Sequence, residues 1–164
     1  MNNGHFNDKI LGEISVTSRG TFEITTTDFD ALDDTFAPLL MQQYIAKAFE
    51  IRVFYFMEKF YSMAIFSQKD EKTVLDYRNY NIQKPNRVVP YILPDTIIDS
   101  LKAFIDKTQL RTGSFDLIYG TDDNYYFLEV NPNGQFGWVS DNCNYYIEKE
   151  IAHQLNELHD AQQQ

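Results

Sequence analysis

Two carboxylates and an amide stand near each other in this chain in a pattern that suits a hard metal ion. Residues 114–119 and 125–130 read as the strands of a hairpin, with a turn over Gly120-Thr121-Asp122-Asp123-Asn124. With the turn centred between Asp122 and Asp123, Asp116 lies opposite Glu129. Opposed residues of an antiparallel pair hold their Cβ atoms roughly 4.5–5.5 Å apart. Two carboxylates that close repel unless a cation or a proton lies between them. Asn131, two residues beyond Glu129, points to the same face. Two carboxylates and one amide oxygen suit Mg²⁺, which takes oxygen ligands and keeps room for water and phosphate. The same spacing also fits solvated acids on an open hairpin face, or a two-carboxylate acid–base pair. A register slip of one residue would separate the two acids.

Two arginines extend the chemistry. Arg52 lies in an apolar run, residues 51–56, where a charge is costly unless paired. Glu50 points to the same side and is the nearest ion-pair partner in sequence. Arg78 lies in a polar loop and presents either a solvated guanidinium or a planar fork for phosphate oxygens. His5, His153 and His159 have no metal-ligand spacing, and no Ser-His-Asp set, P-loop or dinucleotide fingerprint is readable. The run Asn133-Gly134-Gln135-Phe136-Gly137 follows a strand without opening an obvious helix. Phe136 and Trp138 read as a packing cluster, with contact to an adenine or a peptide as the alternative.

The elements that must carry these residues follow from periodicity. Residues 14–17 and 22–25 read as short strands, and a helical turn is expected within 28–36. Residues 39–45 read as a strand or hinge. Residues 51–56 and 61–66 form a first hairpin around Met57-Glu58-Lys59. Residues 74–90 read as a loop with a short strand. Asp95 is expected to cap a helix whose stripe is Ile97, Ile98, Leu101, Phe104 and Ile105. A last helix starts near Asn144, with Ile147, Ile151, Leu155 and Leu158 on one face. Strands and helices mix without a βαβ rhythm, which favours α+β.

Composition sets the outer limits. The chain has 164 residues, 43% of them hydrophobic, which suits a folded domain. Its 13 Phe and 11 Tyr predict a core rich in large rings. A net charge of −10 argues against a general nucleic-acid partner. The single cysteine, Cys143, excludes a disulfide within the chain and reads as a buried thiol. No apolar run reaches the roughly 18 residues of a membrane span, and residues 1–10 lack signal-peptide features. A cytoplasmic location follows as the expectation.

Three segments taken in order resemble an ATP-grasp enzyme: Gln42-Gln43-Tyr44-Ile45 with Glu50-Ile51-Arg52, then Asp76-Tyr77-Arg78-Asn79, then Phe115-Asp116-Leu117 with residues 127–134. The resemblance covers about residues 36–155. The run FLEVNPNGQFGWV in particular resembles the grasp-with-spasm peptide maturases, relatives of the microviridin macrocyclases that make graspetides. That resemblance implies an ATP-grasp C-terminal lobe over residues 38–164 and a remnant of the N-terminal lobe over 1–37. It implies ATP and Mg²⁺ as cofactors. Gln43, Tyr44 and Ile45 would meet adenine at the hinge, and Glu50 would reach the ribose. Arg52, Arg78 and Asn79 would lie near the triphosphate or the reacting carboxylate, and Asp116, Glu129 and Asn131 would hold Mg²⁺. The implied reaction activates an Asp or Glu side chain of a precursor peptide as an acyl phosphate, which a hydroxyl or amine attacks to give an ester or amide.

The family's glycine-rich loop and phosphate-binding lysines are not recognisable in this sequence. The chain is therefore expected to be the C-terminal piece of a longer enzyme, with apolar surface that favours self-association. The alternative is a non-catalytic lobe that binds a peptide or partner through Tyr125, Phe136 and Trp138. A metal-dependent hydrolase would need a further base that no histidine is placed to supply.

Overall fold

The structure is a computed structural model that describes residues 21, 23–31, 35, 40–79 and 81–163. It divides into two compact units, residues 1–44 and 45–164. In the first, a short helix α1 (Thr26–Asp30) is closed by a capping box: the Asp28 amide donates to Thr25 Oγ1 at 3.2 Å and the Thr25 amide donates to Asp28 Oδ2 at 2.9 Å. Thr25 is thus a helix cap, and residues 23–25 form no strand. The strand expected over 14–17 lies outside the described residues. Residues 40–46 adopt neither helix nor strand.

The second unit is one antiparallel sheet with helices on both faces, an α+β arrangement. Its strands are β1 (Lys47–Phe56), β2 (Lys59–Phe66), β3 (Arg87–Pro90), β4 (Thr112–Gly120) and β5 (Tyr125–Asn131), in the order β3-β2-β1-β4-β5. Its helices are α2 (Asp95–Thr108), α3 (Gly137–Cys143) and α4 (Ile147–Gln162).

Strand alternation divides the side chains of β1 and β4 between two cores. Ile51, Val53, Tyr55, Phe115 and Leu117 point to one face and pack with Leu93 and with Leu101 and Ile105 of α2. Phe54 of β1 joins Met63 and Ile65 of β2 on the other face, against Val139 and Cys143 of α3 and Ile147 of α4. The aromatic content is used as expected: Phe104 meets Phe115 edge-on at 5.9 Å, and Phe54 lies 5.3 Å from Phe136.

Several element ends differ from the sequence reading. The first hairpin turns on two residues, Met57 and Glu58, both at positive φ (42° and 71°), so Lys59 already pairs with Phe56. Pro94, with no side-chain hydrogen bond, is the N-cap of α2, and Asp95 is its first residue, where its charge still favours the helix dipole. The expected last helix is present as α4, starting at Ile147, and a further helix, α3, precedes it. Asn144 and Tyr146 adopt left-handed backbone between α3 and α4, and the Ile147 amide donates to Ser140 Oγ at 3.0 Å. The helix at Gly137 corrects the reading that residues 133–137 open none. Ile147 is buried, but Leu155 and Leu158 farther along α4 are exposed, so the expected apolar face is covered only at its start.

Candidate functional site

Asp116 lies opposite Glu129 across β4 and β5. The route to that pairing differs from the one read in the sequence. Tyr119 pairs with Tyr125 and Leu117 with Phe127, so the turn is centred on Asp122. An uninterrupted ladder would then set Leu128 opposite Asp116. The register shifts between Asp116 and Leu117, Leu128 is taken up as the extra residue of a bulge, and Glu129 arrives opposite Asp116. Asn131 pairs with Ser114, two residues before Asp116, and so shares its face.

The two acids differ sharply in environment. Asp116 is buried, with its side chain 12% exposed, whereas that of Glu129 is 61% exposed. Burial pushes the Asp116 carboxyl up to about 6, the Arg52 guanidinium pulls it down, and Glu129 raises it. Both Asp116 carboxylate oxygens lie 3.3 Å from Arg52 Nη1: Oδ2 accepts its hydrogen bond, while the buried Oδ1 is ion-paired with it but accepts no hydrogen bond.

Arg52 reaches this site because β1 and β4 are neighbours that pair Arg52 with Asp116. It donates to the Tyr77 hydroxyl at 2.6 Å. The expected Arg52–Glu50 ion pair is not formed: Arg52 pairs with Asp116, and Glu50 is enclosed elsewhere, bonded to Lys47 and Ser67. Burial raises the Tyr77 hydroxyl, helped by the Asp116 charge, which keeps it protonated. Arg78 is clamped by Asp76, with Nε at 2.9 Å and Nη2 at 3.0 Å, and its Nη1 lies 4.0 Å from Glu129. The Asp76 hydrogen bond raises the Arg78 guanidinium, keeping it charged.

A cleft of about 330 Å³ beside the acids is lined by Arg52, Tyr77, Arg78, Gln135 and Trp138. The Tyr77 and Trp138 rings are parallel within 4°, with centroids 6.1 Å apart. Phe136 packs as expected, whereas Trp138 is 36% exposed and forms a wall of the cleft. The loop after β5 is pressed against β4: a Cβ on Gly134 would fall 2.2 Å from Ser114 Oγ and 2.5 Å from its amide nitrogen. Only glycine fits there.

The donor set fits a hard dication. It is all oxygen, and one buried oxygen accepts no hydrogen bond. Among the described residues no group of three or more His, Cys, Asp or Glu is gathered as for a metal. An ion would therefore take its remaining ligands from Asn131, water or phosphate. Asn131 Oδ1 accepts from the Asn133 amide at 3.0 Å and keeps a second lone pair.

Asn79 is exposed and its amide donates to Asp76 O at 3.1 Å. Gln43 and Tyr44 are exposed at the end of the first unit, and Ile45 opens the second. Tyr77 and Gln135 were not singled out by chemistry in the sequence, and the cleft position of Trp138 matches the alternative to its packing reading. The nearest signal was the placement of Tyr77 between Asp76 and Arg78.

No protein-family model and no curated protein sequence matches the chain. Solved structures do. A RiPP-associated ATP-grasp ligase from Chryseobacterium gregarium, in complex with ADP and a leader and core peptide, shares 30% identity over 59% of this chain and 29% of its own, with a TM-score of 0.56. The macrocyclase MdnC from Microcystis aeruginosa MRC, bound with precursor peptide MdnA, shares 33% over 62% of this chain and 30% of its own, TM-score 0.50. The macrocyclase MdnB from the same organism shares 27% over 70% of this chain and 40% of its own, TM-score 0.55. This chain resembles the ATP-grasp peptide maturases. It spans less than half the length of each of these ATP-grasp proteins. Its five-stranded sheet and flanking helices correspond to part of the ATP-grasp fold. Among the described residues no helix is long and apolar enough to cross a membrane.

Proposed function

We propose that the chain carries the magnesium- and phosphate-binding part of an ATP-grasp ligase that joins side chains of a precursor peptide. The observation that carries this reading is the buried Asp116 opposite Glu129, with two guanidiniums alongside and a buried carboxylate oxygen that accepts no hydrogen bond. Support comes from the similarity to a ligase solved with ADP and peptide.

In this reading Asp116, Glu129 and Asn131 hold Mg²⁺, which neutralises phosphate charge when bound. Arg52 and Arg78 face the transferred phosphoryl group or the reacting carboxylate, and Asn79 lies beside them. Gln43, Tyr44 and Ile45 contribute backbone groups to adenine. The substrate's Asp or Glu oxygen bonds to the γ-phosphorus as the bond to ADP breaks. A hydroxyl or amine then attacks the acyl carbon, and phosphate leaves. The chain supplies position and charge rather than a nucleophile of its own. A histidine base, which metal-assisted hydrolysis would need, is absent from the described residues lining the cleft.

The single tryptophan of the chain lines the cleft, so its fluorescence reports on that site alone. Titration with Mg-ADP should change Trp138 emission saturably, and Asp116→Asn should abolish the magnesium dependence. A response that is absent, or that survives Asp116→Asn and Glu129→Gln together, would sink the assignment. A precursor peptide that changes the emission without nucleotide and without sensitivity to those variants would mark a non-catalytic binding lobe instead.

A further inference from the structure

We infer that Lys47 is a positioning residue: with Glu50 and Ser67 it forms a buried clamp on the β2–β3 loop, fixing Tyr77 and Arg78 beside the two acids. The inference rests on the proposed function only in taking Tyr77 and Arg78 as site residues.

The Lys47 ammonium pairs with one oxygen of Glu50 and donates to the Leu75 carbonyl at 2.9 Å. The hydroxyl of Ser67 donates to the other Glu50 oxygen. The Lys47 and Glu50 side chains are 8% and 5% exposed, and Ser67 is fully buried. Leu75 lies two residues before Tyr77, so the bond to its carbonyl ties the approach to the site residues directly to β1. The same strand carries Arg52, which holds the Tyr77 hydroxyl. Farther back, the Thr73 hydroxyl, also fully buried, donates to the Ser67 carbonyl at 2.9 Å. Among the described residues of 67–86 there is no helix or strand. Loops of that length without structure of their own are uncommon in compact domains and are usually functional or disordered.

A buried ion pair is a poor way to gain stability, because desolvation offsets most of its attraction. An ammonium does supply three directed donors. Here one donor fixes a loop carbonyl that an apolar side chain would leave free. The resemblance described above gives Glu50 to a ribose, but both of its oxygens are already engaged within the chain. The two roles make opposite predictions for the nucleotide-free protein.

Hydrogen exchange on the full chain without nucleotide separates them. The Arg78 and Asn79 amides are hydrogen-bonded within the loop, to Asp76 Oδ1 at 3.0 Å and Asp76 O at 3.1 Å. In Glu50→Gln and Lys47→Met both should exchange about tenfold faster or more, the size expected for losing a hydrogen bond to a charged group. The amides of residues 51–55 and 115–117 should keep their protection, and Trp138 emission should move to longer wavelength as its stack with Tyr77 loosens. The double variant Lys47→Met with Glu50→Leu replaces the pair by apolar groups, and it should fold and still loosen the loop. Unchanged exchange at Arg78 and Asn79 overturns the clamp, as does equal acceleration in the sheet. Glu50→Gln that weakens Mg-ADP binding with loop exchange unchanged assigns Glu50 to the ribose and also overturns it. A loop that loosens as expected in a chain that never binds Mg-ADP supports the clamp and refutes the proposed function.

Discussion

The two faces of the sheet are built from the same strands and do different things. On β1, Ile51, Val53 and Tyr55 enter a core closed by α2, while Glu50, Arg52 and Phe54 point the other way. Phe54 is covered by α3 and α4, but Arg52 emerges at the cleft beside Tyr77 and Trp138. Position along a single strand therefore decides whether a side chain contributes to packing or to the site. The apolar face tolerates little change in volume. The other holds a carboxyl whose burial works against its charge.

Substitutions at adjacent residues test this division most strongly. Phe115 is fully buried against α2, and Phe115→Ala should cost about 3–5 kcal/mol by chemical denaturation. Asp116→Asn, one residue along and on the opposite face, should change stability far less and remove the magnesium response instead. Equal losses from the two would break the distinction.

The next effect is a dependence on pH. Asp116 is raised from 3.8 to about 6, so the folded chain favours its protonated form. Its contribution to stability is full below pH about 4 and is lost as pH rises through 6, by about 3 kcal/mol in total. Asp70 and Asp122 are lowered by hydrogen bonds and titrate with the opposite sign at lower pH. Melting curves between pH 4 and 8 should therefore show a decline through pH 6 that Asp116→Asn flattens and that magnesium reduces. A wild-type curve that rises steadily over that range would contradict the burial of Asp116.

A smaller effect is expected where the loop after β5 meets the sheet. Gly134→Ala forces a Cβ against the Ser114 backbone and should cost about 1–3 kcal/mol. Ser114→Gly should recover part of the loss in the double variant, as read from thermal melts. The smallest is Glu129→Gln, exposed at the outer strand, which should shift stability by less than about 0.5 kcal/mol. It should nevertheless weaken the magnesium-dependent change in Trp138 emission. A Glu129 variant that is silent in that assay would leave Asp116 with no partner in the metal set.

Much of the scaffold was legible because its signals are local. Alternation identified both hairpins, and the stripe from Ile97 to Ile105 identified α2. The short helix at Gly137 was missed, since seven residues after a Pro-Gly-rich turn carry little periodicity. The pairing of Asp116 with Glu129 was read correctly from an incorrect turn centre, because the Leu128 bulge restores by one residue what the turn displaces.

The sequence by itself determined which residue types were available and which face of each strand they occupy. Glu129 and Asn131 were fixed to one face by the backbone's own period, and the Leu128 bulge brought that face to Asp116. Tertiary structure decided their partners. Arg52 chose Asp116, 64 residues away, and Tyr77, 25 residues away, over Glu50 at its own strand's start. Glu50 went to Lys47 and Ser67, and Trp138 came to stack on Tyr77. The physical reason is that alternation sets direction over a few residues, whereas the pairing of a buried charge depends on which groups the packed elements bring within reach.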